Sequence, residues 1–215
     1  MGQTIFNPNL TYGFISDIDG NIYKTIQIGT QIWMAENLRT TKFKDGTTIP
    51  LILDNTMWGN LTSSGYCWYN NDVTTYKNTY GGLYNYYTVT TGNLCPMGWH
   101  IPTDNDWHTL ALHLDASATL TSSESYIAGG KLKETGTTHW LSSYTTTNES
   151  GFTALPCGWR NYQGYFSGVG SNGYWWSSTN SFTGGISRRI TQAYPNFYRD
   201  GYNSKVGLSI RCVRD

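Results

Sequence analysis

The chain has 215 residues, enough for one large domain or two small ones, and its 14 Lys and Arg balance 14 Asp and Glu. That neutrality argues against the basic footprint of a nucleic-acid binder and against a polybasic membrane patch, and no apolar run approaches the roughly 18 residues of a membrane-spanning helix. With 13% charged residues, 15% aromatics and 24 Gly, the composition also speaks against a coiled coil, a mainly helical protein or a disordered chain.

The first fifty residues read as hairpins. Asp19-Gly20 is a turn signal, and Ile22, Lys24, Ile26 and Ile28 alternate with Tyr23, Thr25 and Gln27. Gly29-Thr30 turns the chain into Gln31-Ile32-Trp33, and Asp45-Gly46 marks another turn. Residues 54–64 show no period and read as loop. Residues 65–69 read as a short buried strand, and the aromatic-dense stretch 80–89 fits either state. The clearest helix begins at Thr103, with Pro102 before it and Asp106 in the capping-box position. Trp107, Leu110, Ala111 and Leu114 then form one apolar stripe. A second helix is expected over 123–134 despite Gly129-Gly130, and beyond Gly136 the chain reads as strand and loop. No repeat or linker divides it. The expectation is one α+β domain over 1–215, with two central helices, mostly antiparallel strands and long loops.

Signs of catalysis are sparse. The four histidines, His100, His108, His113 and His139, form no HExxH, and neither a GxSxG nor a P-loop occurs. His108 and His113 stand five apart and do not share a helical face. His100 and His139 each neighbour a Trp and read as core or turn residues. Asp104 and Asp106 fall in a helix first turn, where the macrodipole favours them. Asn70, Asn71 and Asp72 could offer oxygens to calcium, but read better as an Asn-rich turn. No nucleophile, base and orienter assemble, so no catalytic residue, metal or cofactor is expected. Cys67, Cys95, Cys157 and Cys212 include no CxxC; they allow three pairings, or stand as buried free thiols. Met1-Gly2-Gln3-Thr4-Ile5 has neither the basic n-region nor the apolar h-region of a secretory signal.

The informative region lies near the C-terminus. Over residues 161–204, Tyr, Asn, Ser and Gly fill 25 of 44 places, and Lys, Glu, Met and Leu are absent. This is the composition of a paratope: Tyr offers amphipathic area with few rotamers to freeze, and Ser, Gly and Asn adapt locally. Ile186, Arg188, Ile190 and Gln192 are expected to face inward on a strand, with Ser187, Arg189, Thr191 and Ala193 facing out. Asn196, Tyr198, Asp200 and Tyr202 alternate around a core-like Phe197. Large aromatics on a charge-poor surface mark an interface.

Six ordered motifs carry a family resemblance. They are Ile26-Gln27-Ile28-Gly29-Thr30-Gln31-Ile32-Trp33-Met34-Ala35-Glu36-Asn37-Leu38; Gly92-Asn93-Leu94-Cys95-Pro96-Met97-Gly98-Trp99-His100-Ile101-Pro102-Thr103; Ala128-Gly129-Gly130-Lys131-Leu132-Lys133; Gly151-Phe152-Thr153-Ala154-Leu155-Pro156; Trp175-Trp176-Ser177-Ser178-Thr179; and Ile210-Arg211-Cys212-Val213-Arg214-Asp215. Together they resemble the Fibrobacter succinogenes major paralogous domain from about Asp17 to Asp215, leaving 1–16 as an N-terminal extension. Cys157 stands where that family usually has Gly. The family is similar to the formylglycine-generating-enzyme branch of the C-type lectin fold, and the resemblance implies that fold. The enzyme's paired C-terminal cysteines are missing, since only Cys212 lies near the end. The Glu-Pro-Asn calcium motif of true lectins is missing too. Neither oxidase chemistry nor calcium-dependent sugar binding therefore carries over. The fold returns its last strand beside the N-terminal elements, which implies that Cys95 and Cys212 lie close enough to bridge. Trp99, Trp107, Trp140, Trp159, Trp175 and Trp176 are expected to be mostly buried.

Members of the family also resemble targets of diversity-generating retroelements, which mutate adenines of AAY codons near the 3′ end of a gene. Such codons reach Tyr, Ser, Asp, Gly, Ala, Thr, Phe and Arg, but not Lys, Glu, Gln, Met or Trp. The resemblance implies that 161–204 is a variable ligand-binding region. Its expected solvent-facing residues are Tyr162, Tyr165, Tyr174, Asn180, Phe182, Ser187, Arg189, Thr191, Ala193, Tyr194, Asn196, Tyr198, Asp200, Tyr202 and Ser204. The reading is a display protein on a phage virion or a cell surface. Its partner would be an unknown protein or glycan ligand, with no nucleic acid and no membrane insertion; the oligomeric state stays open. The alternatives are a non-diversified surface domain with a structural or carbohydrate-contacting role and, further off, an oxidase related to the formylglycine generator.

Overall fold

The computed structural model describes residues 2–142 and 145–215. In chain order the elements are β1 (Gly13–Ser16), β2 (Ile22–Ile28), β3 (Gln31–Met34), α1 (Asn55–Asn60), β4 (Tyr66–Cys67), α2 (Val73–Tyr80), β5 (Leu83–Tyr84), α3 (Tyr86–Val89), β6 (Trp99–His100), α4 (Asp104–Leu114), β7 (Ser123–Ser125), α5 (Ala128–Leu132), β8 (Cys157–Arg160), β9 (Phe166–Val169), β10 (Asn172–Asn180), β11 (Gly184–Thr191), β12 (Phe197–Asn203) and β13 (Val213–Arg214). The fold is mixed α and β, and every strand pairing between these elements is antiparallel.

One sheet joins the two ends of the chain in the order β1-β2-β3-β13-β6. Its first turn is built by Asp17, whose Oδ1 accepts from the backbone N–H groups of Asp19 and Asn21, while Gly20 supplies the φ of 79°. The last strand slots between β3 and β6, with Val213 opposite both Trp33 and His100. That return brings Cys212 to Cys95; the two form a disulfide with Cα atoms 5.9 Å apart. Cys67 and Cys157 are free and buried. The segment before β1 lies on the domain: Phe6, Leu10 and Tyr12 pack against the core, and Ile5 N–H donates to Glu134 at 2.6 Å.

A second sheet runs β10-β11-β12-β7, and β4-β5 and β8-β9 form two small ribbons. Helix α4 couples the two large sheets. Thr103 and Asp106 close a reciprocal capping box at its start. Trp107 then reaches into the core, 4.6 Å from Trp33 and 5.9 Å from Phe197 between ring centroids, and donates its Nε1–H to the Trp176 carbonyl. Asp104 does more than face the macrodipole. It accepts from buried Arg188 and, through both oxygens, from Arg199, while Arg188 Nε stands 2.5 Å from buried Glu124. The helix start is thereby tied to β11, β12 and β7.

Several sequence expectations are corrected. Residues 54–64 are not all loop: Asp54 caps α1 by accepting from Met57 N–H. The expected helix over 123–134 divides into strand β7 and the five-residue α5, because Ser123 and Ser125 pair with β12 and only the Gly-Gly segment turns. The fold therefore has five α-helices among the described residues rather than two. The expectation for the tryptophans holds: Trp107, Trp140, Trp175 and Trp176 are fully buried, and Trp99 and Trp159 are partly buried against the core. Asn70 and Asn71 adopt left-handed conformations and Asp72 caps α2, so this run is a turn. None of the described helices is long and apolar enough to cross a membrane.

Candidate ligand-binding face

Strands β10, β11 and β12 pair in a register that sorts their side chains onto two faces. Trp175, Ile190 and Phe197 point to the core shared with Trp107. On the other face, Tyr174 lies beside Arg189 and Arg189 beside Tyr198. The next row is Trp176, Ser187 and Asp200, and the row after that places Gly185 beside Tyr202.

Trp159, on β8, lies across this face. Its ring centroid is 5.6 Å from that of Tyr174 and 5.5 Å from that of Tyr202, and the two tyrosines meet edge to face at 6.0 Å. The three rings form a platform that leaves Tyr174 only 7% exposed, and Ser187 in the neighbouring row is 0% exposed. This corrects the expectation that both face solvent: Trp159 and Tyr202 pack on Tyr174, and Ser187 is a small side chain hemmed between Trp176 and Asp200. Burial also raises the hydroxyl pKa values of Tyr174 and Tyr202.

Beside the platform, Arg189 Nε donates to Asp200 Oδ2 at 2.8 Å, and the guanidinium lies 4.2 Å from the Tyr198 ring centre. Burial works against the Arg189 charge. The hydrogen bond and charge of Asp200 outweigh it and hold the pKa above its usual value. Arg189, Thr191, Tyr198, Asp200 and Tyr202 are all partly buried, the Arg189 and Asp200 side chains 24% and 25% exposed.

Six of the remaining expected residues sit at the two ends of the strip. Asn180 and fully exposed Phe182 occupy the β10–β11 hairpin, where the Tyr86 hydroxyl donates to Asn180 Oδ1 at 3.0 Å. Ser204 lies at this end too, since its backbone N is next to Gly184. Ala193, Tyr194 and Asn196 belong to the β11–β12 loop at the opposite end, about 25 Å of strand away. Thirteen of the fifteen residues thus form a central strip with two extensions rather than one compact patch. Tyr162 and Tyr165 are exposed on the β8–β9 turn. Buried Arg160 anchors that turn by donating to the carbonyls of Gly164, Ile52 and Leu53.

The β11–β12 loop is held through its backbone. Gly130 N–H donates to the Pro195 carbonyl at 3.0 Å, and buried Lys133 donates to the Tyr194 carbonyl at 2.8 Å. A Cβ on Gly129 would stand 2.2 Å from the Asn196 carbonyl oxygen. Burial lowers the Lys133 pKa to about 8. These grips involve no side chain of Ala193, Tyr194 or Asn196, so the loop can change its side chains without losing them.

Trp159 is the member of the face that sequence reasoning missed. It precedes the Tyr-rich window, and Trp ordinarily signals core; its position between Tyr174 and Tyr202 emerges only from the β8–β10 packing. Three of the four histidines have structural partners. His108 and His139 pair with buried Glu124 and Glu134, and His100 lies between Asp215 and Asp106. Among the described residues, no group of three His, Cys, Asp or Glu is placed to hold a metal ion.

No curated protein and no solved structure matches the chain. A family model does, that of the Fibrobacter succinogenes major domain, over residues 26–214. The chain belongs to this family.

Proposed function

We propose that this protein is a non-enzymatic binding module with a C-type-lectin-like fold, which displays the Trp159–Tyr174–Tyr202 platform and the adjoining loops to a ligand on a cell surface. The observation that carries this reading is the strip itself: partly exposed aromatics and one ion pair, braced from below by Tyr174 and Trp176, on a sheet whose opposite face is locked into the core. Tyr-rich surfaces of this kind concentrate binding energy in a few rigid rings. The composition of residues 161–204 and the backbone-only grip on residues 194–196 support diversification of the exposed positions by a retroelement. Phage host recognition and bacterial surface binding are the contexts that suit such a module.

Sequencing the 3′ end of the gene across related phages or strains tests diversification. Substitutions confined to AAY-derived codons at positions such as 182, 189, 193, 194, 196, 198 and 200 are expected. Divergence spread evenly along the gene would remove it. The burial of Tyr174 and Ser187 favours a second form of the same reading, in which the middle of the face is fixed and only its rim varies.

A further inference from the structure

We infer that the strip between Trp159 and the Arg189–Asp200 pair is a subsite for a neutral pyranose, so that the ligand of the face is a glycan. The inference rests on the binding-module reading above.

Three features point to this ligand chemistry. The first is the platform. Trp159 and Tyr202 are partly buried, each keeping a minor part of its ring at the surface, and hold each other in place with Tyr174. The electron-rich face of an aromatic ring attracts partially positive C–H groups, and one face of a pyranose is a cluster of such groups.

The second is a polar fork beside the platform. Arg189 spends Nε on Asp200 Oδ2 and is stacked on Tyr198. Among the described residues, neither Nη atom of Arg189 makes a protein hydrogen bond, and Asp200 Oδ1 accepts none. Fixed donors and a carboxylate acceptor therefore stand side by side. A vicinal diol complements them, because each hydroxyl both donates and accepts. An apolar protein surface laid on the strip would leave the same atoms dehydrated and unpaired.

The third is charge. Arg189 and Asp200 neutralise each other, so the strip has no surplus cation for a phosphate, sulfate or sialic acid.

The test is a glycan array probed with the purified chain. It carries neutral hexose and N-acetylhexosamine oligosaccharides, sialylated and sulfated glycans, and unglycosylated proteins. The strongest neutral oligosaccharide is then titrated by tryptophan fluorescence. Saturable binding to neutral glycans, unaffected by EDTA, is expected. Trp159→Ala and Arg189→Met should each weaken it at least tenfold. Arg189→Lys, which keeps the charge and loses the planar fork, should weaken it comparably while leaving the melting temperature near that of the parent, so a folding defect in Trp159→Ala does not decide the outcome. No saturable binding to a neutral glycan, binding to anionic glycans alone, or binding indifferent to Arg189→Met overturns the inference. Arg189-dependent binding to protein spots alone also overturns it, but leaves the binding-module reading standing.

Discussion

Asn37 and Arg211, 174 residues apart in sequence, meet in the core: Arg211 Nε donates to Asn37 Oδ1 at 2.9 Å. The same Asn37 oxygen accepts from Trp175 Nε1 at 2.8 Å, and Asn37 Nδ2 donates to the Tyr80 carbonyl. Arg211 continues to the carbonyls of Phe152 and Thr153. Four of the six motifs that mark the family, those holding Asn37, Phe152, Trp175 and Arg211, therefore converge on one buried hydrogen-bond cluster. These four motifs record how the domain closes.

This closure makes a firm prediction. Burial lowers the Arg211 pKa to about 9, so the side chain stays cationic at neutral pH and depends on its oxygen partners. Arg211→Met or Asn37→Ala leaves several buried polar atoms unpaired and should cost at least about 3 kcal/mol. Urea denaturation measures it. A loss below about 1 kcal/mol would mean that the cluster contributes little.

The Cys95–Cys212 bond closes a sequence separation of 117 residues. On chain-entropy grounds it should stabilise the fold by about 4–5 kcal/mol. Reduction should accordingly lower the melting temperature sharply. In the native protein Cys67 and Cys157 should resist alkylation, since burial raises both thiol pKa values, that of Cys67 to about 12. Two thiols should appear on unfolding without reductant and four with it. A native protein that titrates four reactive thiols would exclude the bond.

His139 provides a pH test. Nδ1 lies 2.6 Å from Glu134 and Nε2 lies 3.1 Å from the Gly2 carbonyl, so both ring nitrogens face acceptors and only the imidazolium satisfies both. Burial opposes the charge, but the hydrogen bond and charge of Glu134 outweigh it and raise the pKa above 6.5. A raised folded-state pKa gives stability that is fully present below the unfolded value and disappears as pH rises through the folded one. The stability gap between the parent and His139→Asn should be widest below about pH 6.5 and narrow on the alkaline side. Denaturation midpoints across that range measure it, and a gap that widens with pH contradicts the assignment.

The elements legible in the sequence were those set by local rules. The Thr103–Asp106 box and the stripe from Trp107 to Leu114 fix α4, and the Asp-Gly and Gly-Thr turns fix the first hairpins. Residues 123–134 misled because β7 owes its extended state to pairing with Phe197 and Tyr198, some seventy residues away. In the site, alternation identified Arg189, Tyr198 and Tyr202 correctly as one face, but alternation reports only which side a residue points to. Whether that side meets water at Tyr174 depends on Trp159, which arrives from a different ribbon, and at Ser187 on the neighbouring Trp176 and Asp200.

That distinction separates the fifteen face residues into two groups with opposite mutational behaviour. Tyr174 is buried between Trp159 and Tyr202, so Tyr174→Ala removes a ring from a packed cluster and should cost about 3 kcal/mol. Ser187→Phe should be equally damaging, because no space surrounds a side chain that is 0% exposed. Phe182→Ala and Tyr194→Ser remove exposed rings from a hairpin tip and from a loop held by its carbonyls. Each should change stability by no more than about 0.5 kcal/mol. Chemical denaturation of the four variants measures the contrast. If Tyr174→Ala proved as mild as Tyr194→Ser, the ring platform would not be a fixed part of the fold, and position 174 would join the freely replaceable rim.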